Sequence, residues 1–154
     1  MHKHTYGTIK AFKNILGDGE QDQIHLTGGV QGTGYRIVKF RVIPEDIGTT
    51  STEGVFQVWK SKQTTVPTVA TQIDFSNPLL LGVAICRTST DLGATGIDDH
   101  VIFDTEIFNQ DIYITYTDNQ AGNKGNYYIE LEEVKMSGPQ EAVVNYSAVI
   151  LNTS

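Results

Sequence analysis

FNQDIYITYTDNQAGNKGNYYIELEEVKM, residues Phe108 to Met136, is the stretch whose reading decides the fold class. Two alternating apolar runs flank a loop of Asp, Asn, Gln and Gly. In the first run Ile112, Ile114 and Tyr116 share one face, and Tyr113, Thr115 and Thr117 the other, which is the period-two signature of a half-buried strand. Tyr127, Ile129 and Leu131 repeat the pattern opposite Tyr128, Glu130 and Glu132. A one-residue slip would carry every apolar side chain into water, so the register of each run is well specified. Together the two runs predict a β-hairpin.

The same alternation recurs along the chain. Thr5 to Lys13 reads as a first strand, followed by the turn GDGEQD and a short run from Gln23 to Thr27,. GGVQGTG at 28 to 34 has the glycines of a phosphate-binding loop, but lacks both the G-x-G-x-x-G order and the Lys-Ser/Thr pair, so it reads as a connector,. YRIVKFRVI from Tyr35 to Ile43 is a strand with Val38, Phe40 and Val42 towards the core, and Ile37, Lys39 and Arg41 on the outer face. Pro44 ends it. VFQVWK from Val55 to Lys60 turns Phe56 and Val58 inward, and the polar stretch 60 to 72 is a long loop or an edge strand. LLLGVAICRT from Leu79 to Thr88 runs continuously apolar as far as Cys86, as a central strand covered on both faces requires,. A further strand is expected from Val101 to Phe108.

Helical periodicity enters only in SGPQEAVVNYSAVILN, where a Pro stands at the first helical position, Glu141 suits the helix N-terminus, and Ala142, Tyr146, Val149 and Ile150 line one side,. Its Val and Ile content leaves a ninth strand as the alternative. The layout predicts an all-β chain: an antiparallel two-sheet sandwich or jelly roll with a short C-terminal helix. At 154 residues we expect a single domain over 1–154, with residues 1–33 an N-terminal arm or edge hairpin and 137–152 the helix,.

Composition narrows the function classes. A net charge of −7 argues against nucleic acid as the partner, since phosphate neutralisation needs clustered Lys and Arg,. Residues 1 to 62 carry eight basic and six acidic side chains, whereas residues 63 to 154 carry three and twelve. Such asymmetry suits complementary patches between copies of one chain, or simply solvated faces. The N-terminus has no run long enough for a signal peptide, and no segment reaches the roughly 20 apolar residues of a membrane span, so folding in a cytoplasm and no membrane partner are expected,. In that setting the glycosylation triplets at Asn145 and Asn152 read as chance matches. The lone Cys86 reads as a buried, inert thiol,.

No catalytic pattern emerges. His2 and His4 can share a metal only if the terminus is ordered, and Asp98, Asp99 and His100 fit neither an EF-hand nor a zinc spacing,. Asp104 and Glu106 would share a strand face, a spacing that any strand supplies. There is no G-x-S-x-G elbow. We therefore expect no enzyme, metal or cofactor. The candidate contact residues are Trp59, Tyr113 and Tyr128, aromatic rings on outward strand positions; core, protein interface and glycan platform are the open readings,.

The segments FNQDIYITYTD and NYYIELEEVKMSGPQEAVVNYSAVI, with GYRIVKFRVIPED, TEGVFQVWK, DFSNPLLLGVAI and VIFDTEIF in the same order, resemble a group of small virion-associated proteins of tailed phages of marine bacteria. The likeness spans most of residues 34 to 151. It carries no active site across. What it implies is a structural part of a phage virion, made in the host bacterial cytoplasm and present in many copies. A capsid decoration protein, docked on the major capsid protein or another virion protein, fits that implication, and a homo-oligomer, trimers above all, would match a shell's local three-fold axes. A tail or collar component and a glycan-binding module are the alternatives.

Overall fold

The computed structural model describes residues 8–26, 32–47, 52–88, 99–139 and 141–144. Its strands are β1 (Ile9–Gly17), β2 (Gln21–Ile24), β3 (Thr33–Pro44), β4 (Thr52–Trp59), β5 (Leu80–Thr88), β6 (Asp99–Ile102), β7 (Ile112–Asp118) and β8 (Lys124–Lys135). They pair antiparallel into a three-stranded sheet, β1-β8-β3, and a five-stranded sheet, β2-β7-β4-β5-β6. The sheets form a two-sheet sandwich, and a short helix follows within residues 138–144.

The expected hairpin is overturned. β7 lies between β2 and β4 in one sheet, and β8 lies between β1 and β3 in the other. Residues 119–123 therefore arch across the core instead of turning back within a sheet. The alternation of each run is as expected, because an arch and a hairpin demand the same inward residues. Ile112, Ile114 and Tyr116 meet Tyr127, Ile129 and Leu131 through a common buried cluster, whose aromatic centre sets Phe56 tilted against Tyr116 at 4.4 Å and Tyr127 edge-on at 6.1 Å. The N-terminal expectation changes likewise: β1 and β2 do not pair with each other but edge different sheets, joined by a tight turn at Asp18 and Gly19. Gly19 takes φ +79°, which suits glycine there,.

β3 departs from simple alternation. A bulge between Ile37 and Lys39 adds one residue, so that Tyr35 and Ile37 point inward before it and Phe40 and Val42 after it,. Ile37 is thus core, at 1% exposure, and Val38 only half-buried, the reverse of the expected assignment. The strand expected over 101–108 shrinks to β6; residues 104–105 turn, and Phe108 returns to exchange two backbone hydrogen bonds with Tyr35. Asp104 and Glu106 consequently share no strand face, and Glu106 pairs with Lys60 at 2.9 Å. Ala142 is exposed, not turned inward; Tyr146, Val149, Ile150, His2, His4, Asp98, Asn145 and Asn152 lie outside the described residues.

Close packing at the arch explains one glycine. A Cβ on Gly125 would stand 2.8 Å from the Phe56 ring and 3.0 Å from Tyr116, both fully buried. Gly125→Ala should therefore cost about 1–3 kcal/mol through overpacking, read as a lower urea midpoint, whereas Gly122→Ala, in open space but at φ +94°, should cost only its backbone strain.

Candidate functional site

The outer faces of the two sheets are built differently. Outward positions on the five-stranded sheet include Trp59 and Gln57 on β4 and Tyr113, Thr115 and Thr117 on β7, with Trp59 directly opposite Tyr113 and Gln57 opposite Thr115. Residues 60–79 form a loop over this face, not an edge strand, and its ends meet through a Lys60 N–H to Leu79 C=O bond of 2.8 Å.

Three contacts pin the loop. The Gln21 carboxamide on β2 accepts from the Gln63 N–H at 2.8 Å and donates to the Gln63 C=O at 3.1 Å. The Thr117 hydroxyl donates to the Pro67 C=O at 2.8 Å. Asp18 accepts from the Val69 N–H at 3.2 Å and from the Asp118 N–H at 2.9 Å, linking loop and arch. Val69 sits at φ +69°, a left-handed conformation that a β-branched residue adopts at a cost of about 1–3 kcal/mol, sustained only where surrounding contacts impose it,.

Beneath the loop is a cavity of about 550 Å³, lined by Gln57, Trp59, Thr115 and loop residues that include Gln63, Thr71 and Gln72. No charged side chain lines it. The Trp59 indole N–H donates to the Thr115 hydroxyl at 3.0 Å, which fixes the ring. Gln57 is buried at 4% exposure; its Nε2 donates to the Thr71 hydroxyl at 3.4 Å, while Oε1 has no hydrogen-bond partner. An orphaned buried acceptor costs roughly 1–3 kcal/mol.

The three-stranded sheet carries exposed isoleucines on its outer face. Ile9 and Ile15 from β1, Tyr128 and Asn126 from β8, and Arg41 and Ile43 from β3 share it by register. Ile43 is 57% exposed. Arg36 pairs with Glu132 at 2.8 Å, and the Tyr128 hydroxyl donates to Glu130 at 2.7 Å, which raises the Tyr128 pKa above its ordinary value. Arg41 contacts His100. Among the described residues no carboxylate forms an ion pair with Lys13, Lys39 or Arg41. The face therefore offers cations, isoleucines and the Glu130 and Glu132 carboxylates around a tyrosine.

Of the three aromatic candidates, Trp59 and Tyr113 come together on one sheet, and Tyr128 stands on the opposite side of the sandwich. All three are half-buried. Gln57, Gln21 and Asp18 escaped the sequence reading; the one signal was a glutamine inside the apolar run VFQVWK. Cys86 is buried in the core. Among the described residues no group of three His, Cys, Asp or Glu side chains is placed to hold a metal ion, and no helix is long and apolar enough to cross a membrane. No protein-family model, curated protein or solved structure matches the chain.

Asp111 secures the end of β2, and through Gln21 the loop. Burial pushes its carboxyl up, but the Leu26 N–H at 2.7 Å, the Gln23 amide at 2.8 Å and His25 at 3.2 Å outweigh that and hold its pKa below the usual carboxylate value. A carboxylate depressed on folding stabilises fully above its unfolded pKa of about 3.9 and loses that contribution as pH falls through the folded value. Unfolding followed from pH 6 down to pH 2 should show a stability loss beginning below about pH 4, and Asp111→Asn should make that loss shallower while lowering stability at neutral pH.

Proposed function

We propose that the chain is a structural virion protein, a capsid decoration protein that associates with itself and docks on the major capsid protein or another virion protein. The observation that carries this reading is the exposure of isoleucines on the outer face of the three-stranded sheet. Exposed Ile15 and Ile43 flank Asn126 at one end of this face, next to the row in which Lys13 and Arg41 flank Tyr128, while exposed Ile9 stands at the other end, opposite Glu132. Tyr and Arg around an apolar centre is the composition that interfaces favour. The resemblance of residues 34 to 151 to virion-associated phage proteins supports the same reading, and the uneven split of charge along the chain suits contacts between copies,.

Such a protein works by clamping. Surface buried against an assembled shell adds binding free energy to that state alone and shifts the equilibrium against rupture. A ring of three copies would suit a local three-fold axis. Light scattering of the purified protein should give a trimer, or trimers only on the shell surface, with association weakened by salt because the contact is partly ionic. Ile43→Asp should weaken that association by about tenfold or more without lowering the unfolding midpoint. Particles purified by density gradient should contain the chain in hundreds of copies; tens of copies at one vertex would reassign it to the tail or collar, and its absence would overturn the virion reading.

A further inference from the structure

We propose that the cavity between β4, β7 and the loop of residues 60–79 is a binding site for an uncharged sugar ring. The inference stands apart from the virion reading, since it concerns the opposite side of the sandwich.

The chemistry of the lining selects the ligand. A charged ligand would find no counter-charge, because none of the residues lining the cavity is ionisable, and burying an unpaired charge is strongly unfavourable. A wholly apolar ligand would strip water from the Gln63 and Gln72 amides and the Thr71 hydroxyl without replacing its hydrogen bonds,. Amides and hydroxyls together present both donors and acceptors. Sugar hydroxyls, each able to donate and accept, match that mixture.

Trp59 supplies the second half of the match. Its N–H is already committed to Thr115, so the ring is held in place and what it adds to the cavity is apolar aromatic surface. The C–H face of a pyranose packs on such a surface while its hydroxyls remain at the edge. A volume of about 550 Å³ falls in the range of small-ligand pockets and accommodates one or two rings,.

Two further features mark the cavity as a built site. Gln57, one of the lining residues, is buried and its Oε1 lacks a hydrogen-bond partner. The loop above is pinned at Gln63, Pro67 and Val69, with Val69 in a strained conformation, so the opening is preformed and needs little ordering on binding,.

Trp59 is the chain's one tryptophan, so indole fluorescence reports this cavity directly. The full-length protein would be titrated with the methyl glycosides of glucose, galactose, mannose and N-acetylglucosamine and with their β-linked disaccharides; glucuronate and glucosamine would serve as charged controls. The expected result is a saturable emission change with at least one neutral glycoside and none with the charged sugars. Gln57→Leu, of similar volume, should weaken binding by about tenfold, as loss of one hydrogen bond implies, with an unfolding midpoint unchanged or raised. Thr71→Val, on the loop, should weaken it severalfold and serves if the core variant misfolds, while Tyr128→Ala should bind as the parent does. No saturable change with any neutral glycoside, equal binding of the charged sugars, or full binding by both cavity variants would each overturn the proposal.

Discussion

The arch between β7 and β8 is the constraint on which the rest of the structure depends, and it closes around a fully buried carboxylate. Asp118 accepts the Tyr116 hydroxyl, the Gln120 N–H at 3.0 Å and the Asn123 amide at 3.3 Å, while its own N–H is bound by Asp18. Burying a carboxylate is tolerable only when its lone pairs are filled; here Tyr116 and residues within the arch fill them, and Asp18 binds the backbone N–H from across the chain. Burial, reinforced by the Asp118 carboxylate, raises the Tyr116 hydroxyl pKa far above its usual value. That hydroxyl therefore remains a donor at any ordinary pH.

Once β7 and β8 are central in different sheets, the remaining elements have few places to go. β1 and β3 flank β8, and β2 and β4 flank β7. The open side between β1 and β2 is sealed by Asp22, which accepts from the Asn14 amide at 2.9 Å and from the Tyr127 hydroxyl at 2.6 Å. Burial and the Asp22 carboxylate raise the Tyr127 pKa as well. Tyr116 and Tyr127 thus place the polar ends of core aromatics on carboxylates at two borders of the sandwich, which lets large rings fill the centre without stranding a hydroxyl.

The two outer faces then diverge. On the five-stranded sheet, Gln57, Thr115 and Thr117 are buried polar residues that need partners, and residues 60–79 supply most of them while leaving a cavity beside Trp59. On the three-stranded sheet the register sets cations next to exposed isoleucines, and no described segment covers them. A protein held to a particle by the second face would keep the first in solvent, so the proposed docking surface and the proposed sugar site are geometrically compatible.

Much of the fold class was legible because alternation is a local property. Ile112, Ile114 and Tyr116, like Tyr127, Ile129 and Leu131, reveal which face of each strand is inward whatever that strand pairs with. The apolar run Leu79–Cys86 announced a strand covered on both sides for the same reason. Pairing partners are a different matter. Nothing local distinguishes a hairpin loop from the arch at Asp118, and the bulge at Val38 reverses the faces of half a strand without a mark in its composition. The outward positions of Trp59 and Tyr113 followed from the sequence, but their joint presence above Gln57 required the β4–β7 register and a loop anchored by Gln21 and Asp18. Periodicity by itself determined the class of fold and the inward side of most strands. Only tertiary structure decided which strands meet and which polar residues share a cavity, because hydrogen-bond partners and enclosed space are set by segments far apart in the chain.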